Sequence, residues 1–172
     1  MFAYFLVLLG ALLRVLPHPA NFAPIGALAL FGGVYLNRKA ALVVPLAAMI
    51  VSDLFLGFDS WSARLTIYAT FLAMTAVGLW VKNHKNVYTV AGASLLGSVL
   101  FFLVTNLPFV HASSLYPYTL DGTILSYING LPFLKYTLLG DLFYTAVFFG
   151  TYELVKIFQA KTSSSLVVQE KK

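Results

Sequence analysis

The chain has 172 residues, of which 60% are hydrophobic and 10% are charged, and its formal net charge is +5. Soluble domains contain about 45–50% apolar and about 25% charged residues, so this composition excludes a soluble domain and implies a surface covered largely by lipid. The chain contains no cysteine, which excludes disulfides, thiolate catalysis and cysteine-ligated metals. No basic patch interleaved with aromatic residues is present, so nucleic acid is not an expected partner.

Six apolar segments approach the length of about 20 residues that a helix needs to cross a bilayer. In chain order they are 1–16, 22–36, 40–58, 65–81, 87–110 and 137–158. The first two are short for a full span, and the second is a candidate for a partly re-entrant helix. Segment 1–16 lacks a basic n-region and is followed by Pro17-His18-Pro19, so we interpret it as a retained helix rather than a signal peptide.

Polar or proline-rich connectors separate these segments, at 17–21, 37–39, 59–64, 82–86 and 111–136. Within the longest connector, Ile124 to Leu134 is apolar but too short to span, which predicts an interfacial or re-entrant segment before the last helix. The apolar runs show no alternation of period two, so the expected fold class is all-α, a polytopic membrane bundle of six transmembrane helices. Residues 1–160 are expected to form one transmembrane domain, and 161–172 a disordered cytoplasmic tail.

The distribution of lysine and arginine predicts the orientation of the bundle. With an even number of spans, the side that holds both termini collects eight basic residues, Arg38, Lys39, Lys82, Lys85, Lys156, Lys161, Lys171 and Lys172. The other side has three, Arg14, Arg64 and Lys135. Because basic residues favour the cytoplasmic side, both termini are expected in the cytoplasm of a multi-pass protein of the cell inner membrane or plasma membrane.

This topology places five polar residues, each from a different segment, near the outer leaflet. They are Arg14, Asn21, Asp53, Asn106 and Asp141. A charge inside a bilayer costs at least about 2.5–3.5 kcal/mol, so such residues normally face a bundle interior or a water-filled cavity and pair there. We therefore expect them to line an outward-facing cavity, in which Arg14 pairs with Asp53 or Asp141.

Two tyrosines complete the predicted ligand site. Tyr144 follows Asp141 by three residues and shares its helix face. Tyr116 lies in the long outer connector, where it is placed either to close over a ligand or to join an aromatic belt at the membrane surface. The chain has no hydrolytic or phosphate-binding motif and no metal-ligand spacing, so no catalytic residue, metal or cofactor is expected.

Five stretches of the sequence recur together in a known family. They are Arg14 to Gly33, Val44 to Leu54, Val104 to Asn106, Tyr116-Pro117 and Thr137 to Tyr144. Their joint occurrence resembles a bacterial family of small integral membrane proteins of unknown function that are regarded as candidate transport proteins. The resemblance covers about residues 10–155 and implies a role in membrane transport.

The plan of six helices with both termini inside is also similar to the substrate-binding subunits of energy-coupling-factor transporters. Those subunits capture a scarce vitamin or metal from outside, and the similarity implies separate ATPase and coupling membrane subunits as partners. Ala3 and Ala11 are eight residues apart with Val7 between them, so the first segment departs from the alanine-spaced coupling motif of such subunits.

The expected function is that of a membrane transport protein, specifically a substrate-capture subunit for a small polar or anionic molecule. Arg14 would contact a negative group of that molecule, Asn21 and Asn106 would form hydrogen bonds to it, and Asp53 and Asp141 would orient Arg14 or bind a cationic group. Two alternatives stay open: a non-transporting structural or assembly subunit, in which the polar residues only fix helix register, and a membrane enzyme that uses the two aspartates.

Overall fold

The computed structural model describes residues 1–57, 60–111 and 115–170, with side chains as far as residue 162. These residues form six α-helices, one short 3-10 helix and no strand. The helices are α1 (Phe2–Val15), α2 (Ile25–Tyr35), α3 (Arg38–Leu56), α4 (Trp61–Val81), α5 (Val87–Thr105) and α6 (Leu120–Glu170), with the 3-10 helix at Pro108–Val110. The predicted all-α fold class is confirmed for this part of the chain.

Four of the helices are long and apolar enough to cross a membrane, namely α3, α4, α5 and the Leu120–Thr162 part of α6. The helices α1 and α2 are apolar but shorter. Nine of the eleven residues of α2 are buried, so this helix lies at the centre of the bundle. Its close contact with α4 depends on Gly33, because a Cβ atom there would overlap the backbone of Thr75 and Gly78.

Polar residues in the short connectors fix where three helices begin. Asn37, Ser60 and Asn86 each accept, through a side-chain oxygen, a hydrogen bond from the backbone N–H three residues later, at 2.9, 3.2 and 2.8 Å. Such N-caps satisfy one of the donors that a helix start leaves unpaired. The Ser60 cap fixes the first turn of α4, which carries the buried residue Arg64.

The last helix differs most from the sequence prediction. It begins at Leu120 and continues through Pro132, so Ile124 to Leu134 is part of α6, and the prediction of a separate interfacial or re-entrant segment was wrong. The fifth helix also ends earlier than predicted, at Thr105. Eleven residues are too short to cross a membrane alone, but they can form one end of a longer helix. The helix α6 has 51 residues and is about 77 Å long, well beyond a hydrocarbon core of about 30 Å.

Parts of four predicted segments lie outside the described residues. They are residue 58 of the segment 40–58, residue 59 of the connector 59–64, residues 112–114 of the connector 111–136, and part of the tail 161–172. In the predicted tail, 161–172, the side chains of residues 163–170 and the whole of residues 171 and 172 lie outside the described part of the chain. Its disorder stays a prediction.

Candidate functional site

Asp53, near the end of α3, is fully buried and meets three side chains from two other helices. Its Oδ1 atom lies 2.5 Å from Nη1 of Arg14 and 2.9 Å from Nη1 of Arg64. The Tyr68 hydroxyl donates a hydrogen bond of 2.6 Å to its Oδ2 atom. Arg14 also donates to the Ser52 hydroxyl. We refer to Arg14, Asp53, Arg64 and Tyr68 as the ion cluster, which ties α1 and α4 to α3.

The ion cluster sets two guanidinium groups, which remain protonated in proteins, against the Asp53 carboxylate. The Arg14 and Arg64 side chains are only 11% and 8% exposed. Neither guanidinium group makes an aligned hydrogen bond to Oδ1 within the described part of the chain, so Coulomb attraction holds these pairs together.

A cavity of about 590 Å³ lies beside the ion cluster, and we call it the arginine compartment. It is bounded by the C-terminal ends of α1 and α3, the N-terminal ends of α2 and α4, and the middle of α6. Its polar lining residues are Arg14, His18, Asn21, Arg64, Thr137 and Asp141. The predicted clustering of polar groups from separate helices is therefore present at one end of the bundle.

A second cavity of about 540 Å³ adjoins the first, and we call it the histidine compartment. Asn21, Ile67, Phe101 and Thr137 line both cavities. The polar side chains that are particular to the second cavity are Ser60, Thr105, Asn106, His111, Tyr116 and Asn129. The two compartments thus differ in charge, since the acidic residue and both arginines belong to the arginine compartment.

Asp141 lies on the wall of the arginine compartment with a different set of partners. The Ser98 hydroxyl donates a hydrogen bond of 2.6 Å to its Oδ2 atom. The carboxylate also rests against the first turn of α2, where a Cβ atom on Gly26 would overlap it and where the Ala27 N–H is within interaction range. Because a helix N-terminus carries a partial positive charge, Asp141 stabilises the start of α2 from another helix.

Five of the seven predicted ligand residues line the two compartments, namely Arg14, Asn21, Asn106, Tyr116 and Asp141. Asp53 lies behind Arg14, fully buried within the ion cluster, and so orients arginine rather than reaching the cavity. Tyr144 lines neither compartment. Its ring packs in an aromatic group with Phe22 and Phe148, at centroid distances of 5.7 and 6.0 Å.

Sequence reasoning missed Arg64, His111 and Asn129 as lining residues. Arg64 was assigned to an outer connector, yet it is buried in the first turn of α4. The sequence did contain a sign that Arg64 belongs to a helix, because Arg64 and Tyr68 are four residues apart and would share one helix face. Among the residues that the structure describes, no group of three or more histidine, aspartate or glutamate side chains is placed to hold a metal ion.

No curated protein and no solved structure matches the chain. One family model matches residues 1–164, a stretch that includes every residue lining the two compartments. The chain belongs to this family of unknown function, DUF6580.

Proposed function

We propose that this protein is a multi-pass membrane protein that captures a small anionic molecule in the arginine compartment, as the substrate-binding part of a transport system. One observation carries the proposal: Arg14 and Arg64 meet at the Asp53 carboxylate, and both line the same cavity. Two guanidinium groups thus lie at the wall of an open space rather than inside packed side chains.

The magnitude of the electrostatic attraction supports this choice. A unit negative charge about 5 Å from a guanidinium group gains about 3 kcal/mol at an effective dielectric constant of about 20. Guanidinium groups also form paired hydrogen bonds with carboxylates and phosphates, which adds geometric selectivity.

The second candidate function is that of a structural or assembly subunit of a membrane complex. It is favoured by the complete burial of Asp53, whose partners tie α1 and α4 to α3. In that case the ion cluster fixes helix register and the cavity has no specific ligand. The two candidates differ in whether the charge of the cluster attracts anions into the cavity.

Within the proposal, the chain crosses the membrane six times, with the short helices α1 and α2 extended by their flanking residues, both termini lie in the cytoplasm and the cavity opens to the outside. The chain has no cysteine, so single cysteines can be introduced without a background to remove. Cysteines at Gly57 and Thr119 should react with a membrane-impermeant maleimide added to intact cells, and a cysteine at His84 should react only after lysis. Labelling of His84→Cys in intact cells would contradict this topology.

The charge of the cavity can be measured with a reporter cysteine at Leu56, which lines the arginine compartment. Its rates of reaction with an anionic and with a cationic methanethiosulfonate reagent are compared. The anionic reagent should be favoured, because a unit negative charge about 10 Å from the Arg14 guanidinium group gains about 1.7 kcal/mol, which is more than tenfold.

Arg14→Gln should lower that preference, since it removes one of the two guanidinium groups that line the cavity. A cysteine at Leu54, an exposed residue of the same helix that does not line the cavity, is the matched control and should show no dependence on Arg14. An equal preference at Leu56 with and without Arg14 would overturn the proposed function in favour of the structural one.

A further inference from the structure

An apolar groove of about 480 Å³ lies between α5 and α6, at the end of the bundle opposite to the two compartments. We call it the α5–α6 groove. It follows α6 from Leu142 to Glu153, a length of about 17 Å at about 1.5 Å per residue. Half of a hydrocarbon core of about 30 Å is about 15 Å, so the groove is as deep as one leaflet of a membrane.

Small residues leave this space open between the two helices. Ala91 of α5 and Ala146 and Gly150 of α6 line the groove, with the buried residues Val90 and Phe149. A Cβ atom on Gly150 would meet nothing within 4 Å. A helix is about 10 Å across and fills roughly 420 Å³ per turn, so the groove would hold little more than one turn. An extended hydrocarbon chain is much thinner and fits its length.

Basic side chains surround one end of the groove, which we call its mouth. The Lys85 ammonium group lies 2.5 Å from Oε1 of Glu153, and the Lys156 ammonium group lies 3.9 Å from Oε2 of the same carboxylate. The two lysine side chains are 33% and 54% exposed, so both can reach a further partner. Among the side chains that the structure describes, Glu153 is the one acidic group at this end of the bundle. Three more basic residues lie at the same end, Arg38, Lys39 and Lys82.

A second apolar groove, of about 650 Å³, lies on another face of α5, against α4. Trp80, Tyr88 and Gly92 are among the residues that line it, and no charged side chain of the described part of the chain does so. Lipid tails are as apolar as leucine, so hydrocarbon alone does not favour one groove over the other. The charge at the mouth is what distinguishes the α5–α6 groove.

We propose that the α5–α6 groove binds a phospholipid with an anionic headgroup, whose acyl chain lies in the groove and whose phosphate contacts Lys85 and Lys156. A basic residue near the membrane surface attracts anionic lipid by about 1 kcal/mol, or about fivefold in affinity. This proposal goes beyond the proposed function, because its residues lie at the other end of the bundle from the arginine compartment.

Native mass spectrometry of the full chain in detergent counts the lipids that stay bound. Phosphatidylglycerol and phosphatidylcholine with identical acyl chains are titrated, so that the two lipids differ in the headgroup alone. One phosphatidylglycerol should bind at least about fivefold more tightly than phosphatidylcholine, which has no net charge. Equal affinities for the two lipids would overturn the proposal.

The variant Lys85→Gln/Lys156→Gln tests the contact with the headgroup. It leaves Glu153 as the charged group at the mouth, so the preference for phosphatidylglycerol should disappear. Arg38→Gln/Lys39→Gln is the matched control, because it removes the same charge at the same end of the bundle from residues that do not line the groove. An equal loss of preference in the control would mean general attraction to the surface and not a site.

Gly150→Leu tests the groove itself. Leucine at this position enters open space rather than packed atoms, so the fold should be retained while the room for an acyl chain is lost. The bound phosphatidylglycerol should then be absent from the spectrum. Gly92→Leu is the control, since its Cβ position is equally open but lies in the second groove, and it should keep the lipid.

Other occupants of the groove predict different spectra. A second copy of the chain would give a dimer that Gly150→Leu dissociates and that does not depend on phosphatidylglycerol, and this result would overturn the proposal. Phosphatidylglycerol that stays bound to Gly150→Leu, at the melting temperature of the unmodified protein, would do so as well. These results leave the arginine compartment to its own test, the labelling of the cysteine at Leu56.

Discussion

Asp53 and Asp141 are both buried carboxylates at the same end of the bundle, but the protein stabilises them by different means. Asp53 has two guanidinium groups within 2.9 Å and a tyrosine hydroxyl at 2.6 Å. Asp141 has a serine hydroxyl at 2.6 Å and the first turn of α2. One carboxylate is therefore neutralised by full charges and the other by dipoles.

The comparison indicates which carboxylate contributes more to stability. Removing Asp53 would take the carboxylate from between two buried guanidinium groups, whereas removing Asp141 would leave only a hydroxyl group and a helix end to be satisfied. The guanidinium groups beside the cavity belong to the Asp53 side. We therefore expect anion binding to depend on the ion cluster and the position of α2 to depend on Asp141.

The largest expected effect is that of Asp53→Asn. It should lower the free energy of unfolding by about 3–5 kcal/mol, the usual cost of breaking a buried ion pair from one side. Arg14→Gln should cost less, about 1–3 kcal/mol, because Arg64 still neutralises Asp53. Denaturation in mixed micelles measures both, and equal losses would show that Arg64 does not share the carboxylate.

The double variant Arg14→Gln/Asp53→Asn extends this test. It removes one positive and one negative charge but also takes from Arg64 its contact with the Asp53 carboxylate, so it should not recover full stability. A simple pair of Arg14 with Asp53 would instead be rescued by the double change. Full recovery would contradict the three-residue arrangement.

An intermediate effect is expected from Gly26→Ala. The added methyl group would overlap the Asp141 carboxylate, so α2 and α6 must move apart, at a cost of about 1–3 kcal/mol in the free energy of unfolding. Gly92→Ala is the matched control, because nothing lies within 4 Å of its Cβ position and alanine favours a helix by up to about 1 kcal/mol. Equal stability changes at the two glycines would argue against the contact between Asp141 and α2.

The smallest effect is expected from Tyr68→Phe. The hydroxyl group that it removes is one of three partners of Asp53, so the loss should be about 0.5–1.5 kcal/mol. Ser98→Ala is the comparison at the other carboxylate and should cost more than Tyr68→Phe, since Asp141 has no cation to compensate. The same denaturation measurement ranks the two, and the reverse order would mean that Asp141 is satisfied mainly by α2.

Several features of the fold and the site follow from the sequence alone. Apolar segments separated by polar or proline-rich connectors predict helices, and α3 to α5 begin within about four residues of their predicted starts. Arg14, Asn21, Asp53, Asn106 and Asp141 were expected in one cavity; four of them line the two adjoining compartments, whereas Asp53 lies behind Arg14. The high cost of a charged or polar group in lipid makes this kind of prediction possible without knowledge of the packing.

Only the tertiary structure decided which polar groups meet. It pairs Arg14 with Asp53 rather than with Asp141, brings Arg64 to the same carboxylate and packs the half-buried Tyr144 ring among aromatic side chains. The physical reason is helix rotation: a helix that is apolar on every side, as α2 is, carries no stripe in its sequence that marks which face meets which neighbour. Side-chain packing chooses that face, and through it the partner of each buried charge.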